Sequence, residues 1–169
     1  MKPSDLLPLD EWAELERELA QRTGLTTVVF DSENVRVTGT TTWANELCPL
    51  IKGEPQSATQ ICAMAQQAIL AVARTTGNAV VEECDAGMVK IVAAIIIDGE
   101  LVGSISGCGR LLEGAQLEEE YAAETVGAPL ADVHGRTASV RTISNEQAQA
   151  HARLMQQTVD EIVRRHTPS

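Results

Sequence analysis

The sequence predicts an α+β domain: an antiparallel sheet of about five strands, with helices on one face and helical termini. Three observations lead there. Residues 80–110 hold the strongest strand signal: an apolar run at 89–97, then Asp98-Gly99, then alternating apolar residues over 101–107. Asp-Gly between β-branched runs marks a two-residue hairpin, because both central residues of a type I′ turn take positive φ. Amphipathic helical periodicity brackets the chain, at 10–22 and again from Ser144 to about His166. Finally, no internal repeat, low-complexity tract or linker divides the 169 residues, a length that suits one domain.

In chain order, residues 10–22 place Trp12, Leu15 and Leu19 on one stripe, with Glu14 and Glu18 away from it and Asp10 as the cap. Residues 25–30 read as a strand, 31–34 as an acidic turn, and 35–40 as a second, returning strand. Trp43, Leu47, Leu50 and Ile51 then have helical spacing. Ser57 and Gln60 form a capping-box pattern for a helix over 59–74. That start puts Cys62 in the first turn, where the positive end of the helix dipole favours a thiolate.

Residues 79–81 give a third strand leading to Cys84 and the hairpin, and 112–123 read as a short acidic helix. Residues 129–140 are ambiguous. Ser144 and Gln147 form a second capping box for a final helix, striped by Ala148, Ala152, Met155, Val159, Ile162 and Val163. The series fits a PAS- or GAF-like sheet. Residues 9–110 are its expected core, and 111–169 a helical C-terminal part of the same domain.

The formal net charge of −11 argues against nucleic acid or an anionic membrane as a direct partner, since both require a positive patch. Lys90 and Asp98 interrupt the best apolar run, and the amino terminus has no apolar signal region. The expected location is cytoplasmic. In a reducing cytosol, four cysteines are more often metal-binding, catalytic or buried than disulfide-bonded. Cys48, Cys62, Cys84 and Cys108 are irregularly spaced, with no Cys-x-x-Cys pair, so spacing alone is weak evidence for a metal.

The hairpin supplies a stronger argument. A two-residue turn at Asp98-Gly99 sets Ile97 opposite Glu100, Ile95 opposite Val102 and Val89 opposite Cys108. Cys108 then lies at the hairpin's open end, where Cys84 enters. In the same register Ser104, Ser106 and Cys108 share a face with Val89, Ile91, Ala93 and Ile95. Ser104, Ser106, Ile91 and Ala93 thereby become the expected floor of a small-ligand pocket.

Several of these segments carry a family resemblance. Thr23 to Asp31 reads TGLTTVVFD, Glu46 to Cys48 reads ELC, Cys62 is isolated, and Glu83 to Gly109 reads ECDAGMVKIVAAIIIDGELVGSISGCG. From Leu9 to about Val163 the chain resembles the PocR sensory domain family, PAS-like ligand-binding modules of bacterial signal transduction. The resemblance implies sensing of small molecules, typically simple hydrocarbon derivatives, by a domain often fused to DNA-binding or kinase modules. This chain has no recognisable output domain, which leaves open what it controls and leaves room for a separate output protein. Cys108 stands where the family more usually has Gly, and Ala94 replaces the usual Pro. The fourth cysteine can therefore complete a three-cysteine site.

The expectation is a non-enzymatic sensor, dimeric through its terminal helices. Cys48, Cys62, Cys84 and Cys108 would bind one metal centre, an iron–sulfur cluster being favoured over zinc because its ligands come from four separate elements. The alternative is a pure small-molecule sensor with four buried structural thiols and no metal. His134 is a weaker ligand candidate. The three histidines, all in the final third, form no recognisable dyad with Cys62 or Cys84, which argues against a cysteine nucleophile.

Overall fold

The run Val89–Ile97 is apolar except for Lys90, and in the computed structural model, which describes residues 1–167, all of it but Ile96 is buried. The last two residues of the 1–169 span lie outside the described residues. A strand with no solvent face must be central and covered on both sides. The elements around it follow in order: α1 (Pro3–Leu6), α2 (Leu9–Thr23), β1 (Thr26–Asp31), α3 (Leu47–Lys52), α4 (Pro55–Ser57), a π-helical turn (Ala58–Ala63) and α5 (Met64–Thr76). Then come β2 (Val80–Glu83), β3 (Val89–Ile97), β4 (Glu100–Leu112), α6 (Glu119–Val126), α7 (Leu130–Thr137), β5 (Thr142–Ile143) and α8 (Asn145–His166).

The α+β class and the strand count are as the sequence predicts. Strands run β1-β4-β3-β2, all antiparallel, and β5 pairs in parallel with the end of β4. Asp98 and Gly99 take φ of 51° and 81°, as a type I′ hairpin demands. The fifth strand, however, is not the expected one. Residues 35–40 make only a single bridge, Phe30 to Arg36, and β5 supplies the fifth strand from beyond the segment left ambiguous. Side-chain bonds account for this departure. Asp31 Oδ1 accepts from the Glu33 and Val35 amides, and Arg36 donates to the Thr40 carbonyl and the Thr41 hydroxyl.

Helices cover both faces of the sheet rather than one. On the first face Trp12 and Leu19 of α2, and Ala148, Met155 and Val159 of α8, pack with Val29, Ile91, Ile95 and Ile105. Burying that stripe is what holds α8 on the sheet, and Ser144 caps it as predicted, accepting from the Gln147 amide at 3.0 Å. On the second face Ile69, Leu70 and Ala73 of α5 cover Val92 and Ala94. A third cluster, Leu47, Ile51, Ile61, Met88, Ala122 and Val133, ties α3, α6 and α7 over the β2–β3 turn.

Candidate cysteine-ringed site

The decisive local feature is a register shift in the hairpin. The pairing begins as predicted, Ile97 opposite Glu100 and Ile96 opposite Leu101, but Ile95 then pairs with Gly103, leaving Val102 as the extra residue of a β-bulge. A one-residue slip carries every later side chain to the other face. Ser104 therefore lies opposite Ala94, Ser106 opposite Val92, and Cys108 opposite Lys90. A second bulge at Gly109, where φ is +103°, places Arg110 opposite Val89. The sequence-based pairing of Ile95 with Val102 and of Val89 with Cys108 is thus corrected.

The same shift divides the predicted pocket floor. Ile91 and Ala93 are fully buried in the core under α8. Ser104 and Ser106 face α5, where Gln66 Nε2 donates to Ser104 Oγ at 3.0 Å and Ser106 Oγ donates to Gln66 Oε1 at 2.5 Å. Periodicity cannot reveal this, because a bulge leaves the alternation of the sequence unchanged.

On the face that carries Cys108, the four cysteines converge. Cys48 of α3, Cys62 of the π-helical turn, Cys84 after β2 and Cys108 of β4 all line one cavity of about 30 Å³. Ile51, Ile61, Met88, Trp43, Lys52 and Lys90 are also part of its wall. That volume holds about two water molecules. Among the described residues, no three His, Cys, Asp or Glu side chains are grouped closely enough to hold a single metal ion.

Local structure aims each thiol. Asn45, buried, accepts from the Leu47 and Cys48 amides at 2.8 and 2.7 Å, fixing the start of α3. Its Nδ2 donates to the Gly109 carbonyl at 2.7 Å and to Cys48 Sγ at 3.4 Å, tying α3 to the second bulge. Cys84 opens a tight turn in which its amide donates to the Met88 carbonyl and the Gly87 amide donates to the Cys84 carbonyl, both at 2.9 Å.

The expected cap at Ser57 does not form. Ser57 is buried and donates to the Ile51 carbonyl at 2.6 Å, and the helix begins at Pro55. Cys62 consequently sits inside a π-helical turn instead of at a helix start, a distortion frequent at functional sites.

Burial pushes the Cys48, Cys62 and Cys84 thiols up, so the expected dipole-stabilised thiolate at Cys62 is corrected. Lys52 and Lys90 oppose the rise at Cys62, and the Met88 and Ala86 amides oppose it at Cys84. Four thiols with apolar walls and two ammonium groups close by are the residue types that a soft metal or cluster takes. His134 is not part of it. Its ring is exposed and pairs with Glu119 at 2.7 Å.

Comparison with known proteins agrees with the resemblance. The family described as "Sensory domain found in PocR" matches residues 5–167. No curated protein matches the chain. A crystal structure described as the C-terminal domain of a transcriptional regulator from Vibrio cholerae is 16% identical, with a TM-score of 0.37, covering 89% of this chain and 94% of that one. No described helix is long and apolar enough to cross a membrane.

Proposed function

Because the chain belongs to the PocR sensory domain family, with a ligand-sensing role in signal transduction, we propose that the signal it reads is the state of a cysteine-bound centre held by Cys48, Cys62, Cys84 and Cys108. The observation that carries this reading is the convergence of all four cysteines, from four separate elements, on one cavity. An iron–sulfur cluster is favoured over zinc. The ligands would come from four separate elements, which makes a poor zinc knuckle and a better buried cluster.

When bound, such a cluster supplies a centre whose integrity or oxidation state responds to redox conditions or oxygen. The chain's own residues do the rest. The Met88 and Ala86 amides favour the Cys84 thiolate, Lys52 and Lys90 offset thiolate charge, and Ile51, Ile61 and Met88 exclude water. The relay runs through β4. Cys108 leads to Leu111 and Glu113, whose amides donate to the Arg141 and Ile143 carbonyls at 2.9 Å, and β5 leads directly into α8. A shift at Cys108 would reach the terminal helices, the proposed contact with a second copy or an output protein. We read the domain as non-enzymatic and cytoplasmic.

Iron and acid-labile sulfide analysis of anaerobically prepared protein, with its visible spectrum, tests the proposal. Stoichiometric iron and sulfide with broad visible absorption are expected. Colourless protein carrying stoichiometric zinc, or protein that takes up neither metal, overturns it. A second reading, a pure small-molecule sensor, draws on the burial that keeps Cys48, Cys62 and Cys84 uncharged, the state of inert structural thiols.

A further inference from the structure

α5 carries more apolar residues than its packing on the sheet uses. Ile69, Leu70 and Ala73 cover Val92 and Ala94, while Met64 and Val72 stand 57% and 47% exposed, with Ala68 exposed between them. Spaced four residues apart, Met64, Ala68 and Val72 form one ridge along the helix. That ridge is one wall of an open groove of about 390 Å³, and Glu82, Glu83 and Asp85, at the end of β2 and just beyond it, form the other.

The acidic wall has no counter-charge. All three carboxylates are exposed, none forms an ion pair with a described residue, and no described lysine or arginine lines the groove. Lys90 lies opposite Glu82 on β3 but is buried and makes no pair with it. Among the described residues β2 is also an edge strand, paired with β3 alone. Charges on an edge deter the addition of another strand, so the groove favours a helical occupant. Ala68, small and central in the ridge, lets a second helix approach closely.

We propose that this groove docks a basic amphipathic helix of a separate partner protein. Apolar side chains of that helix cover Met64, Ala68 and Val72, and its lysines or arginines face Glu82, Glu83 and Asp85. A second copy of this chain fits the groove poorly, because a net charge of −11 sets acid against acid. The groove lies on the α5 face of the sheet, away from α2 and α8 on the other. Its walls adjoin the cysteine ring in sequence: Cys62 stands two residues before Met64, and Cys84 stands between Glu83 and Asp85. Docking itself uses no metal, so it stands or falls independently of the cysteine-bound centre.

The test titrates the metal-free, reduced chain into a fluorescein-labelled leucine–lysine peptide of about 18 residues, its leucines on one helical face, and follows anisotropy. A peptide of the same composition with scattered leucines, and a leucine–glutamate counterpart, are the controls. Saturable binding of the first peptide is expected, with either control weaker by about tenfold or more. Ala68→Lys, which puts bulk and a like charge on the ridge, should weaken binding by about tenfold or more. Glu82→Gln combined with Glu83→Gln should weaken it by about three- to tenfold and reduce its salt dependence. The latter variant carries the test should Ala68→Lys fail to fold. Glu11→Gln combined with Glu14→Gln, exposed acids of α2 on the other face, should leave affinity unchanged. Equal affinity for the scattered peptide, unchanged affinity in the folded groove variants, or an equal loss in the α2 variant overturns the proposal. Self-association of the chain that Ala68→Lys abolishes in sedimentation would assign the groove to a second copy and also overturn it.

Discussion

Lys90 and Cys108 lie directly opposite each other on β3 and β4, and their side chains both line the cysteine-ringed cavity on that face of the sheet. Without the bulge at Val102, Cys108 would instead turn toward the α8 core, away from Cys48, Cys62 and Cys84. One inserted residue therefore creates the juxtaposition on which the proposed site depends.

Cys108 should behave as a true member of the ring. In anaerobically reconstituted protein, Cys108→Ala and Cys84→Ala are each expected to lower iron and sulfide content well below that of the parent. The metal-free variants should lose only about 1 kcal/mol of stability, a typical single-substitution cost. Metal analysis and urea melts, run side by side, separate a ligand from a packing residue.

Raised thiol pKa values give a definite sign to the pH dependence of the metal-free chain. Burial raises Cys48, Cys62 and Cys84 above their ordinary value of 9.0, so the folded state holds these protons more tightly than the unfolded state. The associated stability is fully present below about pH 9 and declines as pH rises from there toward the folded-state values. Denaturant melts in reducing buffer between neutral pH and pH 10 should show the decline, and a Cys48→Ala background should flatten it. Metal uptake must release these protons, so apparent affinity should rise with pH.

Gly87 should tolerate no side chain. Its φ is +93°, and an added Cβ would fall 2.6 Å from the Gln116 carbonyl oxygen. Gly87→Ala is expected to cost about 2–4 kcal/mol from backbone strain and overpacking together. It should also displace Cys84, so a folded variant would show reduced cluster loading alongside its lowered Tm.

Gln66 satisfies two buried hydroxyls at once, those of Ser104 and Ser106. Gln66→Leu should destabilise the chain by about 2–5 kcal/mol, because both are left without a partner. Adding Ser104→Ala and Ser106→Ala to that variant should recover part of the loss, which urea melts of the two proteins would show.

Much of the fold was legible because it rests on local patterns. The Asp98-Gly99 turn, the buried run of β3, the Ser144 cap and the stripe of α8 each follow from nearest-neighbour chemistry. The misread segments are those where a side chain took a nearby partner other than the one its local pattern implies. Ser57 has a cap's sequence but donates to Ile51, and residues 35–40 have a strand's composition but are held by Arg36 and Asp31. Lys90 looked like an interruption in an apolar strand, and nothing in its neighbours signals that it opposes a cysteine.

By itself, the sequence determined the class of fold, the hairpin, the terminal helices, the family and the four cysteines as the residues of interest. The tertiary structure decided which face each hairpin residue occupies, and therefore that Ile91 and Ala93 serve the core while Cys108 and Lys90 serve the cavity. The reason is that alternation fixes only relative facing along one strand. The register between strands depends on bulges, and these are set by packing across the whole sheet.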